Sequence, residues 1–200
     1  MKVIGLCGGS GSGKSCVARI FSELGFSYIN TDSVYHDLIS QKSACLDALI
    51  SEFGANILSD FGVVDRKKLA NIVFAENAAD KLKRLNEISH FYVLKKTREI
   101  ISSLDSLRFP GVIVDAPLLF ESQFHKECDA VIAVIADVNL RIKRITERDG
   151  ISEEEAKRRI SVQMTDGFLI ENADYVIRNS SDYSELEKQV VDLAEKIKNL

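Results

Sequence analysis

The chain has 200 residues, 46% of them apolar and 28% charged. That suits one compact domain with a small insert or lid and excludes a disordered chain. Its net charge of −4 argues against general nucleic-acid binding, which needs a basic surface, and no apolar run is long enough to span a bilayer.

The N-terminal residues run straight into glycines, without a signal-peptide layout. Residues 2–7 are nearly all apolar, which predicts a strand buried on both faces of a parallel sheet. Residues 15–24 predict a helix, with Val17, Ala18, Ile20, Phe21 and Leu24 on its apolar side and Gly25 as its stop. Residues 26–30 predict a second strand. Over about 33–107 the apolar residues recur at helical spacing: Leu46, Leu49, Ile50 and Phe53, then Leu69, Ile72 and Val73, then Leu82, Leu85 and Ile88. This predicts a helical insert of several segments, broken near Gly54 and Gly62.

Pro110-Gly111 marks a turn, and Val112-Ile113-Val114 a third strand that ends at Asp115. Residues 130–136 predict a fourth strand. Val138, Ile142 and Ile145 form a helical stripe that stops at Gly150. Ser152 and Glu155 have the spacing of a capping box, repeated by Asp182 and Glu185. Between those two pairs, residues 175–177 predict a fifth strand. Leu186, Val190, Leu193 and Ile197 make a closing amphipathic helix. The alternation predicts an α/β fold with a parallel sheet. Cys7, Cys16, Cys45 and Cys128 stand far apart and describe neither a zinc site nor a disulfide framework. A reduced, cytoplasmic protein is expected.

Gly8-Gly9-Ser10-Gly11-Ser12-Gly13-Lys14-Ser15 matches the Walker A pattern, placed after an apolar strand and before a helix. Such a loop turns amide N–H groups onto phosphate oxygens, and glycine tolerates the angles required. The helix N-terminus adds its positive dipole end. Lys14 is expected to reach the β- and γ-phosphates of ATP, and the Ser15 hydroxyl to ligate Mg²⁺. The DxxG and NKxD strings of GTPases are absent, which favours a small-molecule kinase over a GTP switch.

Asp32 directly follows the second strand, where ligands of parallel sheets bind. A carboxylate there can take the proton of an attacking hydroxyl, or it can be a helix N-cap, a part Ser33 could also play. Asp115 has the layout of a Walker B acid for Mg²⁺, or of a turn former before Pro117. Arg141, Arg144 and Arg148 are three and four apart and share a helix face. They can reach phosphate from a mobile lid built with Arg158 and Arg159, or form a solvated face paired with Glu147 and Glu153 to Glu155.

These residues resemble the dephospho-coenzyme A kinase family along almost the whole chain. The resemblance is carried by the loop, by Asp32, by Gly62-Val63-Val64-Asp65-Arg66 with Leu69 and Val73-Phe74, and by Leu85-Asn86 with His90. Asp115-Ala116-Pro117-Leu118-Leu119-Phe120-Glu121 is the most discriminating string. Arg144, Arg148-Asp149, Gln163 and Ala173-Asp174-Tyr175-Val176-Ile177 with Asn179 complete it.

The resemblance implies a P-loop kinase fold with a five-stranded parallel core flanked by helices (about 1–32, 108–138 and 166–200). It adds a helical acceptor-binding insert (about 33–107) and a small helical lid (about 139–165). It implies ATP-dependent phosphorylation of the ribose 3′-hydroxyl of dephospho-coenzyme A with Mg²⁺, and no nucleic-acid or membrane partner. Asp32 would activate the hydroxyl, with Lys14, Arg144 and Arg148 on ATP phosphates. Residues 9–16 (Gly9 to Cys16) and Asn179 would hold the nucleotide, Asn179 on the adenine side. His90, Asp115 and Pro117 would serve the acceptor.

Three positions depart from the family: Asn30 stands for an acid, Phe91 follows His90 in place of proline, and Ser10 replaces a common isoleucine. The loop and Asp32-Ser33-Val34-Tyr35 also resemble uridine kinases, which lack the PLLFE string. A nucleotide-binding regulator would keep the loop without needing Asp32.

Overall fold

The computed structural model describes residues 1–76 and 78–199. In chain order it runs β1 (Lys2–Cys7), α1 (Lys14–Glu23), β2 (Ser27–Asn30), α2 (Thr31–Ser40), α3 (Ala44–Phe53), α4 (Arg66–Val73), α5 (Ala79–Leu104) and β3 (Gly111–Asp115). It continues with β4 (Ala130–Ile135), α6 (Val138–Asp149), α7 (Glu153–Ser161), α8 (Asp166–Asn172), β5 (Tyr175–Arg178) and α9 (Tyr183–Lys198). The chain divides into two compact units, one of Met1–Asn30 with the chain from Ser103 onward, the other of Thr31–Ser102.

The first unit holds a five-stranded parallel sheet in the order β2-β3-β1-β4-β5. Every residue of β3 and β4 is buried, as expected for parallel strands covered on both faces. On one face, Ile4, Leu6, Ile132, Val134 and Ile177 pack with Val17, Ile20 and Phe21 of α1 and Leu186, Val190, Leu193 and Ile197 of α9. Each fully buried side chain of this size contributes roughly 1.5–3 kcal/mol, so this layer anchors the unit. Gly25 (φ +89°) follows α1 in the left-handed region, which turns the chain out of the helix. Strand β1 is central, with β3 and β4 on opposite sides. Its carboxyl end is therefore the switch point where open α/β sheets bind ligands.

The second unit is helical, with one isolated bridge between Leu58 and Val64 among its described residues. Ile39, Cys45, Leu46, Leu49, Ile57, Leu69 and Val73 form its core, with Leu82, Leu85 and Ile88 partly buried against them. Ser43 caps α3 by accepting from the Leu46 N–H at 3.0 Å. Asp65 caps α4 by accepting from Lys67 and Lys68 at 2.9 and 3.1 Å. The breaks expected at Gly54 and Gly62 occur, both at positive φ.

The capping box at Ser152 and Glu155 forms as expected. The start of α2 does not match the alternative reading of Asp32 or Ser33 as its N-cap. The helix begins at Thr31, so Asp32 stands inside its first turn and neither Asp32 nor Ser33 caps it. Among the described residues no helix is long and apolar enough to cross a membrane.

Candidate active site

The loop between β1 and α1 has a backbone that only glycine can follow. Gly8, Gly11 and Gly13 have φ of +148°, +76° and +95°. Space is as short as angle. A Cβ on Gly8 would lie 2.3 Å from the Val134 carbonyl oxygen, and one on Gly11 would lie 2.7 Å from that of Arg141. On Gly9 it would meet Arg141 Nη2 at 2.1 Å, and on Gly13 it would meet Asn179 Nδ2 at 2.0 Å. The loop is thus clasped by β4, α6 and the end of β5.

The clasp acts on the loop carbonyls. Lys14 Nζ donates to Gly8 O at 2.9 Å, and the Ser12 N–H to Gly9 O at 3.1 Å. Arg141 Nε donates to Ser10 O at 2.9 Å, Arg144 Nη1 to Gly11 O at 3.2 Å, and Asn179 Nδ2 to Ser12 O at 2.8 Å. The Gly13 carbonyl accepts from Cys16 and Val17 in the first turn of α1. Every carbonyl from Gly8 to Gly13 is therefore engaged. Among the described residues the amides of Gly11, Gly13, Lys14 and Ser15 have no acceptor in the chain. That polarity is what an anion requires.

The three arginines of α6 do not form one outward face. Arg141 is 3% exposed and spans Ser10 O, Gln163 Oε1 at 3.2 Å and Asp166 Oδ1 at 3.0 Å. Gln163 in turn accepts from the Ser10 N–H and donates to Ser10 Oγ, both at 2.9 Å. Arg144 joins the loop to Asn179, with Nη2 3.4 Å from Asn179 Oδ1. Arg148 instead forms a fork on Asp149 at 2.7 and 2.9 Å, and Arg159 of α7 pairs with the same carboxylate. These two cations hold the Asp149 carboxyl down at about 2, the Arg148 hydrogen bonds first among the causes. Three of the four expected glutamate partners are engaged elsewhere: Glu147 with Lys143, Glu153 with Lys157, and Glu155 at the Ser152 cap.

Asp115 ends β3 beside Leu6 of β1 and Asn30 of β2, and is 4% exposed. The Tyr28 hydroxyl donates to its Oδ2 at 3.1 Å. Burial pushes the nearby Cys7 thiol up to about 12. The Lys14 ammonium opposes the rise, while the Asp115 and Glu121 carboxylates add to it, so these charges share one neighbourhood at the sheet's carboxyl edge.

No three His, Cys, Asp or Glu side chains gather into a metal cage among the described residues. The edge offers two hard oxygen donors instead, the Ser15 hydroxyl and the Asp115 carboxylate. That pair suits Mg²⁺, which keeps several waters and is held mainly by substrate phosphates. Pro117 is exposed just beyond Asp115. Cys16 is half-buried, and Arg19 Nη2 lies 3.8 Å from its sulfur. The four cysteines are unpaired, as expected.

Asp32, exposed in the first turn of α2, and His90, half-buried on α5, belong to the second unit. The structure thus brings the phosphate loop, Arg144 and Asn179 into one contact network in the first unit, with Asp115 at the end of the adjoining strand β3. Sequence reasoning left Tyr28 and Asp166 without a site role, quoted Gln163 only as part of a motif, and read Arg141 only as a phosphate-reaching member of the α6 set. For Arg141 the available signal was its place in the arginine set. Spacing alone did not say which member turns inward.

A family model described as dephospho-CoA kinase matches residues 2–185. A protein from Fusobacterium nucleatum named dephospho-CoA kinase is 41% identical over 195 residues, covering 98% of each chain. One of the same name from Carboxydothermus hydrogenoformans is 37% identical, covering 99% of this chain and 95% of its own. The solved structure of the dephospho-CoA kinase from Campylobacter jejuni superposes with a TM-score of 0.72 at 28% identity, covering 98% of this chain and 97% of that one. The phosphate loop, the Asp115 string and these full-length likenesses agree, and the chain belongs to the dephospho-CoA kinase family.

Proposed function

We propose that this enzyme transfers the γ-phosphoryl group of ATP to the ribose 3′-hydroxyl of dephospho-coenzyme A. The products are coenzyme A and ADP, the last step of coenzyme A biosynthesis. The observation that carries the nucleotide half of this reading is the loop's polarity, with every carbonyl from Gly8 to Gly13 engaged and the amides of Gly11, Gly13, Lys14 and Ser15 among those left for phosphate oxygens. The family match carries the acceptor half.

In this reading the loop amides and Lys14 hold the ATP phosphates, and Asn179 borders the nucleotide. Ser15 and Asp115 would hold Mg²⁺, which when bound offsets phosphate charge. Asp32 accepts the proton of the 3′-hydroxyl as that oxygen bonds to the γ-phosphorus and the bond to ADP oxygen breaks. Arg144 supplies positive charge beside the loop. Arg148 exchanges Asp149 for phosphate when the segment at about 139–165 acts as a lid and excludes water. The helical segment at about 33–107 binds the acceptor, with His90 as a contact, and Pro117 contributes from the strand end. The unpaired cysteines and acidic balance suit a cytoplasmic enzyme.

The test is ADP release with Mg·ATP, offering dephospho-coenzyme A and uridine in parallel. Release with dephospho-coenzyme A alone supports the assignment, and release with uridine alone overturns it. Asp32→Asn should lower turnover at least a hundredfold at unchanged ATP affinity, whereas Lys14→Ala should impair both. Equal losses of turnover and affinity in Asp32→Asn would remove the base role.

A further inference from the structure

Strand β2 is an edge strand, and its register sets Asn30 opposite Asp115 and Tyr28 opposite Ile113. Tyr28 and Asn30 are two residues apart and share a face of the strand. Tyr28 is therefore a diagonal neighbour of Asp115, within reach of a long aromatic side chain. The structure shows a relay along this edge. Asn30 Nδ2 donates to the Tyr28 oxygen at 3.1 Å, and the Tyr28 hydroxyl donates to Asp115 Oδ2 at 3.1 Å.

The direction of the relay follows from the donor inventory. An ionised carboxylate only accepts, and a phenol has one proton. With that proton on Asp115, the Tyr28 oxygen can only accept from residue 30, and an amide supplies the donor. A carboxylate at position 30, which the family resemblance leads one to expect, would compete with Asp115 for the same proton. Asn30 has nearly the shape of aspartate, but its nitrogen leaves the phenol proton where it is.

We infer that Tyr28, aimed by Asn30, is a positioning residue that fixes the Asp115 carboxylate for a divalent cation. The inference rests on the reading of Asp115 as a metal-binding acid. It makes the Asn30 departure one half of a two-residue device, not the loss of a ligand. Hydrogen bonds to a ligating carboxylate commonly change metal affinity by an order of magnitude.

The experiment uses the full chain with Mn²⁺ and a non-hydrolysable ATP analogue, following bound Mn²⁺ by electron paramagnetic resonance. Metal-free analogue affinity is measured beside it. Tyr28→Phe should weaken Mn²⁺ binding about tenfold without changing metal-free analogue affinity. It should also raise the Mg²⁺ needed for half-maximal turnover by the same factor. Asn30→Asp should be several-fold more damaging with Tyr28 in place than on the Tyr28→Phe background, the coupling expected of residues in one network.

Tyr28→Phe keeps the ring on a partly exposed edge. Should it fail to fold, Asn30→Leu, which removes the aiming donor without adding charge, should weaken Mn²⁺ binding in the same sense. Unchanged Mn²⁺ binding in Tyr28→Phe or in that substitute, with binding lost in Asp115→Asn, would overturn the inference and leave Asp115's metal role standing. Equal effects of Asn30→Asp on both backgrounds would overturn the aiming role. Unchanged binding in Asp115→Asn would overturn the metal reading, and the inference with it.

Discussion

Asn179 and Ser12 are 167 residues apart in the chain, yet the Asn179 side chain donates to the Ser12 carbonyl at 2.8 Å in a buried setting. The same amide also takes part in the closest approach to Gly13. One side chain just after β5 therefore contributes to both the polarity and the shape of the phosphate loop.

Asn179→Ala would leave that buried carbonyl without its donor, a loss of about 1–3 kcal/mol. A thermal melt should fall by several degrees, and the KM for ATP should rise. Unchanged values of both would mean that water replaces the amide.

Glycine at positive φ is not equally demanding everywhere. Gly150 (φ +65°) ends α6 with nothing within 4 Å of a Cβ, whereas a Cβ on Gly13 (φ +95°) would sit 2.0 Å from Asn179 Nδ2. Gly150→Ala should cost only the left-handed backbone penalty, about 1–2 kcal/mol, and leave ATP affinity intact. Gly13→Ala should reduce ATP affinity at least tenfold, because the clasp must open. Denaturant melts and nucleotide titrations on the two variants check the contrast.

The Arg148–Asp149–Arg159 cluster joins α6 to α7. The Asp149 carboxyl is lowered from 3.8 to about 2 in the folded chain. Its contribution is therefore complete above about pH 4 and is lost as pH falls through about 2. Amide protection factors in residues 146–160, corrected for the intrinsic pH dependence of exchange, should hold down to pH 4 and fall below it. Asp149→Asn should lower protection in the segment and remove that dependence.

Burial pushes the thiols of Cys7, Cys45 and Cys128 up to about 12, 11 and 12, which leaves them almost no thiolate at neutral pH. Cys16, half-buried in the first turn of α1, should be the residue alkylated first by iodoacetamide. ATP should slow the reaction, and the modified enzyme should lose nucleotide binding. Peptide mass mapping with and without ATP checks the site, and unchanged ATP affinity after modification would remove the link.

The parts legible in the sequence are those whose constraints are local. Glycines before Lys14 state a backbone that other residues avoid, and the apolar runs ending at Cys7 and Asp115 mark buried parallel strands. The helical character of the middle segment followed from its three-and-four spacing. The clasp was hidden because it is non-local. Arg141 and Ser10 are 131 residues apart, and a shared helix face does not say which arginine turns inward. Tyr28 carries no signal of its own in the sequence, since only strand order places it diagonal to Asp115. The N-cap alternative for Asp32 stayed open in the sequence because an acid in a first turn and an acid at an N-cap look alike there.

The clasp also orders events during synthesis. The loop emerges within the first fifteen residues, but the groups that hold the Ser10, Gly11 and Ser12 carbonyls lie at positions 141, 144 and 179. At typical elongation rates the last of them follows by roughly 8–35 s. Until then the nascent loop has the right residues, but its Ser12 carbonyl lacks the Asn179 donor that turns it away from an approaching anion. A ribosome stalled before residue 179 would therefore display the phosphate motif with its Ser12 carbonyl still uncapped.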